Sequence, residues 1–149
     1  MASALLVFDV QRRACALPLG PVQETLRPLP VEPISGAPAF VLGAAVVRGA
    51  PAAVIDAGTL ISGVPLDTPG RWIILEIGDG RRVGLAVSSV LGVYPARLFD
   101  LREAPPLLAD AEPAVIQALG RRDDALLSLL MIGRVVPEEV WAALAEAAR

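Results

Sequence analysis

The sequence predicts an all-β domain built as one or two small barrels. Three observations point there: an aliphatic core composition, turn residues spread along the chain, and short apolar runs that alternate large and small. Of the 149 residues 54% are hydrophobic but only 4% aromatic, so Val, Leu, Ile and Ala must fill the core. Gly 13 and Pro 14 are scattered, which suits many short elements joined by turns better than a few long helices. The strand patterns number about nine, with little helix between them.

Each element follows from its local pattern. "ALLVFDVQRRACALPLG" reads as a hairpin with Leu6, Phe8 and Val10 on one face and a turn near Gln11 to Arg13. In its second strand Ala14, Ala16 and Pro18 alternate with Cys15, Leu17 and Leu19. "VQETLRPLPVEP" is extended but broken by Pro28, Pro30 and Pro33, which confine it to a sheet edge. "PAFVLGAAVVRG" opens with one turn of helix and continues as a strand. Gly49 ends that strand, "APAAVIDAGTLI" returns, and Asp56 is placed to cap a short helix.

The strongest hairpin signal is "RWIILEIGDGRRVGLAVSSVLGVY", where apolar runs flank Asp79-Gly80. Its return strand sets Val83, Leu85 and Val87 on a large face and Gly84, Ala86 and Ser88 on a small one. After the proline-rich connector "REAPPLLADAEP", the run "AVIQALGRRDDALLSLLMI" forms a further hairpin with its tip at Asp123-Asp124. "PEEVWAALAEAAR" closes the chain as a helix with Trp141, Leu144 and Ala148 on one stripe.

Charge and residue usage narrow the function. Net charge is −3, without a basic stripe for nucleic acid. All 13 cationic residues are arginine, and histidine is absent. Missing His and Lys together exclude Ser-His-Asp and Cys-His catalysis, His-based zinc sites, P-loop nucleotide binding and Schiff-base chemistry. No cofactor or metal is therefore expected. Cys15, the single cysteine, cannot form an internal disulfide and reads as a small buried hydrophobe in a reducing cytoplasm. Arg48 interrupts the longest apolar stretch, so no membrane span is expected, and the N-terminus lacks the basic region of a signal peptide.

Carboxylates are the remaining chemical resource. Asp123-Asp124 fits a hairpin tip better than a catalytic dyad, because adjacent strand residues point to opposite faces. Glu138 and Glu139 follow Pro137 at a helix start, where acids complement the dipole. Gly78-Asp79-Gly80 is flanked by strands and is not followed by a helix, so it does not make a phosphate loop. An enzyme would need a pair such as Asp56 and Asp124 brought together by folding.

Four ordered segments resemble the CheW-like coupling domain family of bacterial chemosensory arrays. The opening hairpin and Val22-Gln23-Glu24-Thr25 resemble the family's first hairpin and V-x-E-I segment. Leu29, Pro30, Ala37, Pro38, Val41, Leu42, Gly43, Arg48 and Gly49 match its long signature ending in Arg-Gly. "AVIDAG" is similar to its "PVIDL", and "VGLAVSSVLGVY" to its "GLlVDeVleV". The chain departs from the pattern at Val46 (commonly Asn), Ala53 (Pro), Ser88 (acidic) and Met131 (often Asp).

The resemblance covers nearly the whole chain. It implies a single domain over residues 1–149 made of two five-stranded SH3-like barrels packed along a shared apolar seam. It further implies a non-catalytic adaptor in the cytoplasm that couples methyl-accepting chemotaxis receptors to the CheA histidine kinase. The kinase's own CheW-like regulatory domain, the helical receptor tip and other CheW-like domains in rings are the implied partners. Arg48, Gly49, Val22 and Glu24 match contact positions, Val87 and Val90 are expected to floor a receptor groove, and Arg48 is expected to be exposed. Two alternatives stay open here: a divergent adaptor of a non-flagellar pathway such as pilus motility, and a carboxylate-based hydrolase on a small barrel.

Overall fold

The computed structural model describes residues 4–68, 70–103, 115–122 and 125–147. The Asp123-Asp124 tip, Ala148 and most of the proline-rich connector lie outside them. The chain forms two sheets. Strands β1 (Ala4–Val10), β2 (Arg13–Pro18), β8 (Ser89–Pro95), β9 (Arg102–Glu103), β10 (Ile116–Arg122) and β11 (Ala125–Leu130) make the first, in the order β8-β1-β2-β11-β10-β9. Strands β3 (Val22–Leu26), β4 (Val41–Val47), β5 (Ala50–Asp56), β6 (Arg71–Glu76) and β7 (Arg82–Val87) make the second, in the order β3-β6-β7-β5-β4. Helix α1 (Ala57–Ser62) follows β5, and α2 (Glu138–Ala147) follows β11.

Each sheet curls into a small barrel. In sheet two, the chain beyond β3 returns to β4 through reciprocal bonds, Glu32 N to Ala44 O and Ala44 N to Glu32 O, both 2.8 Å. In sheet one, Asp100 and Arg121 exchange backbone bonds of 2.9 and 3.2 Å, which draws the connector after β8 onto β10. Closure leaves few free strand edges, the usual solution for a chain of short strands.

Burial on both strand faces explains the continuous apolar runs. Along β1, Leu6, Phe8 and Val10 enter the seam between the sheets, while Leu5 and Val7 fill barrel one. Strand β2 divides likewise, Cys15 and Leu17 to the seam and Ala16 inward. In β7 the large face, Val83, Leu85 and Val87, is the seam face, and Ala86 lies inside barrel two. Cys15 is fully buried and its thiol is pushed up to about 12, by desolvation above all, so it is an inert core group.

Three local expectations change. The return strand after Asp79-Gly80 does not run on through Tyr94: the chain leaves sheet two at Ser88, and β8 pairs with β1 instead. Ser88 is held at that crossing, its N–H donating to Asp9 O and its hydroxyl accepting from Gln11 N, both at 2.9 Å. Residues 38–40 form a hydrogen-bonded turn, Val41 N to Pro38 O at 2.9 Å, and no helix. The strands number eleven among the described residues, because β8 is separate from β7 and the two-residue β9 adds another.

The first hairpin turn is strained in a testable way. Gln11 and Arg12 both adopt positive φ, 49° and 71°, without a glycine. Two positive φ values in a two-residue loop match the right-handed twist of the strands, but L residues resist them. Arg12→Gly should therefore stabilise the protein by about 0.5–1 kcal/mol, the relieved strain less the added unfolded-state entropy. Thermal unfolding would check it, and a lower Tm would mean the Arg12 side chain contributes more than its backbone costs.

Candidate partner-binding site

Residues Val47 and Ala50 pair across the β4–β5 hairpin, leaving Arg48 and Gly49 as a two-residue turn with φ of 52° and 80°. The turn lifts Arg48 off the barrel, and its side chain is 73% exposed. It is not without a partner. The guanidinium grips Glu24 on β3 in bidentate fashion, Nε to Oε2 at 3.1 Å and NH2 to Oε1 at 2.8 Å. Strands β3 and β4 are opposite edges of sheet two, and barrel closure brings them together. Two residues singled out from separate sequence segments thus form one charged feature.

The hydrogen bond from Arg48, then its charge, holds the Glu24 carboxyl below the usual carboxylate range. A depressed folded-state pKa contributes stability above the unfolded value, and that contribution is lost as pH falls through the folded one. The pair therefore persists through neutral pH. Arg48 does not brace its own turn: that task belongs to Arg82, whose NH1 donates to Val47 O at 2.9 Å. Nor does Arg48 meet Asp56. The Asp56 carboxylate is 5% exposed and accepts from the N–H groups of Gly58 and Thr59 at the start of α1 and from that of Leu66 beyond its end.

Apolar surface surrounds the pair. Strand β4 alternates buried and outward residues, and its outward side shows Leu42 and, at 68% exposure, Val46. Beside them Leu29, Pro30, Ala44, Gly49 and Leu144 line a hollow of about 550 Å³. A second hollow, about 450 Å³, opens between the sheets and is lined by Pro18, Pro21, Leu75, Ile77, Leu130 and Met131. Val22 sits at its approach, half-buried and paired with Leu75.

Val87 needs correction as a groove residue. It is 0% exposed within the seam, so it has no surface to offer a partner. Its place on the large face of β7 points it into the seam, where β7 meets β1, instead of outward. Val90 is partly buried against the same cluster. The sequence carried no expectation for Arg82, named Leu29 only as a signature match, and marked Val46 and Met131 only as departures. The available signal was the outward Leu42–Ala44–Val46 row, apolar where a solvated strand would be polar.

The hydrolase alternative gains no support from the carboxylates among the described residues. Asp56 spends both oxygens on backbone N–H groups, and Asp124 lies outside the described residues. Glu138 is paired with Arg81. Among the described residues, no cluster of three His, Cys, Asp or Glu could hold a metal ion, and no helix is long and apolar enough to cross a membrane.

Comparison with known proteins is consistent with this arrangement. The model of the CheW-like domain family matches residues 4–140. The chemotaxis protein CheW of Rhizobium meliloti (strain 1021) is 24% identical over 136 residues, spanning 91% of this chain and 88% of that protein. The crystal structure of the scaffolding protein TtCheW from Thermoanaerobacter tengcongensis superposes with a TM-score of 0.73 at 24% identity, covering 91% of this chain and 92% of the other. Closed β-barrels and a family match over nearly the whole length converge: the chain belongs to the CheW-like domain family, non-catalytic adaptors of chemotaxis signalling.

Proposed function

We propose that this protein couples chemoreceptors to a CheA histidine kinase in the cytoplasm, and that the Arg48–Glu24 pair belongs to the contact surface. The carrying observation is the pair itself: an exposed guanidinium on a rigid turn, aligned by a carboxylate from another strand. A guanidinium is planar, weakly hydrated and carries five donors, so with two of them on Glu24 the rest can meet a partner's carbonyls or carboxylates. The neighbouring apolar row, Leu42 and Val46, supplies dry contact area, the combination expected of an interface centre with a polar anchor. The inter-sheet hollow near Val22 is of a kind that accepts the apolar face of a receptor helix. Other CheW-like domains would dock on the same barrel ends in rings.

The test is a titration against the regulatory domain of a CheA kinase from the same organism. Wild type should bind saturably, and Arg48→Ala should weaken binding by about tenfold without unfolding the protein. Glu24→Ala should weaken it less, since the guanidinium remains but loses its alignment. Wild-type binding untouched by either substitution would remove the pair from the interface. A folded wild type that binds no such kinase would overturn the coupling role.

A further inference from the structure

We propose that α2 is a strap that fixes the angle between the two barrels, with Arg81, Glu138 and Trp141 as its latch. The chain passes from one sheet to the other at two short points. Residues 19–21 join β2 to β3, held by Val22 N to Leu19 O at 3.0 Å and by Glu76 N to Pro21 O at 2.9 Å. Ser88 alone joins β7 to β8. Since Glu76 pairs with Arg82 and Arg71 with Val87, these tethers sit at opposite ends of the β6–β7 hairpin. Two tethers define an axis, and rotation about that axis is what they leave free.

Besides the direct packing of the seam and the 2.7 Å bond from Gln11 Nε2 to Pro65 O, helix α2 is a further attachment, and it lies off the axis. It continues directly from β11 of sheet one through residues 131–137, yet it packs on β5 of sheet two, one strand spacing, roughly 5 Å, beyond β7. Val140, Trp141 and Leu144 bury into the seam, which contains residues of both sheets. Its first turn is then tied to the β6–β7 turn. Arg81 NH1 and NH2 donate to the two Glu138 oxygens, each at 2.9 Å, and the Arg81 guanidinium lies 5.2 Å from the centroid of the Trp141 ring. The turn itself is rigid, closed by Arg81 N to Gly78 O and Ile77 N to Arg81 O. One arginine of barrel two therefore holds both a carboxylate and an indole of a helix rooted in barrel one.

The latch is solvent-accessible, Arg81 at 37% and Glu138 at 76%, so it tunes the strap and does not weld it. Its loss should raise the frequency of helix detachment and, with it, the spread of barrel angles. This consequence is independent of which kinase or receptor docks.

The experiment uses two readouts on the full chain. Spin labels at Val64→Cys in barrel two and Arg97→Cys in barrel one, both exposed, report the inter-barrel distance. The buried Cys15 will not compete for label. Hydrogen exchange of the α2 amides reports detachment. Glu138→Gln should speed that exchange about threefold and Arg81→Ala about tenfold, because the second also removes the ring contact. The distance distribution should broaden in the same order, and exchange within β6 and β7 should stay unchanged. Faster helix exchange with an unaltered distance distribution would overturn the proposal, leaving α2 as a cover for the seam. Unaltered exchange in both variants would overturn the latch.

Discussion

Gly43→Ala is expected to lower the unfolding free energy by about 3–4 kcal/mol, the sum of backbone strain and two endangered hydrogen bonds. Gly43 holds φ at +147°, a conformation L side chains rarely adopt. A Cβ there would stand 2.0 Å from Glu32 O, 2.7 Å from Glu32 C and 2.9 Å from Pro33 Cα. All three are backbone atoms, so no side chain can swing aside. The clash falls on the two 2.8 Å bonds between Glu32 and Ala44 that close barrel two. Opening that closure would also separate β3 from β4, and with them Glu24 from Arg48. Urea denaturation should show the midpoint falling steeply, and the kinase titration should show loss beyond the unfolded fraction. A loss under about 1 kcal/mol would mean that the strand reaching back to β4 is free to shift, and closure would then rest on the core alone.

How far the sequence carried depends on the range of the interaction. The hairpins, the edge position of β3, the Asp56 cap and the turn at Arg48-Gly49 were legible because each rests on neighbours within a few residues. The two faces of β7 were legible as large and small, since alternation is local. What they faced was not: the same pattern fits a groove floor and a seam, and only the burial of Val87 in the seam, where β1 meets β7, decides. The crossing at Ser88 left almost no trace, because Ser88-Ser89 carries neither glycine nor proline. Pairing of Arg48 with Glu24 needs a closed barrel to bring opposite sheet edges together, which no spacing of 24 residues announces. Arg81 and Arg82 are adjacent in sequence, yet folding sends the first to Glu138 and the second to Val47 O.

Trp72→Ala should be more damaging than Gly43→Ala, at about 4–5 kcal/mol. The reason lies in the alanine-rich composition. Trp72 is 2% exposed inside barrel two, and the buried residues clustered with it include Ala45, Ala52 and Ala86. Ala86 is its direct cross-strand partner, and a Cβ on Gly84 would already touch the indole at 3.5 Å. The small face of β7 is small because one large ring occupies the space. Removing that ring leaves a void walled partly by alanines, which have no rotamers, so only Val47, Val54, Ile74 and the partly buried Leu26, Val31 and Leu66 could turn inward to fill it. Trp72→Phe should cost far less, about 1–2 kcal/mol, by keeping most of the volume. A Trp72→Ala loss below about 2 kcal/mol would show that the barrel collapses onto the void. Equal losses for both substitutions would shift the explanation from volume to the indole itself. A small barrel in which one indole packs against three alanines and only three larger buried aliphatics, Val47, Val54 and Ile74, has little redundancy, and its stability should answer to Trp72 more than to any of those neighbours.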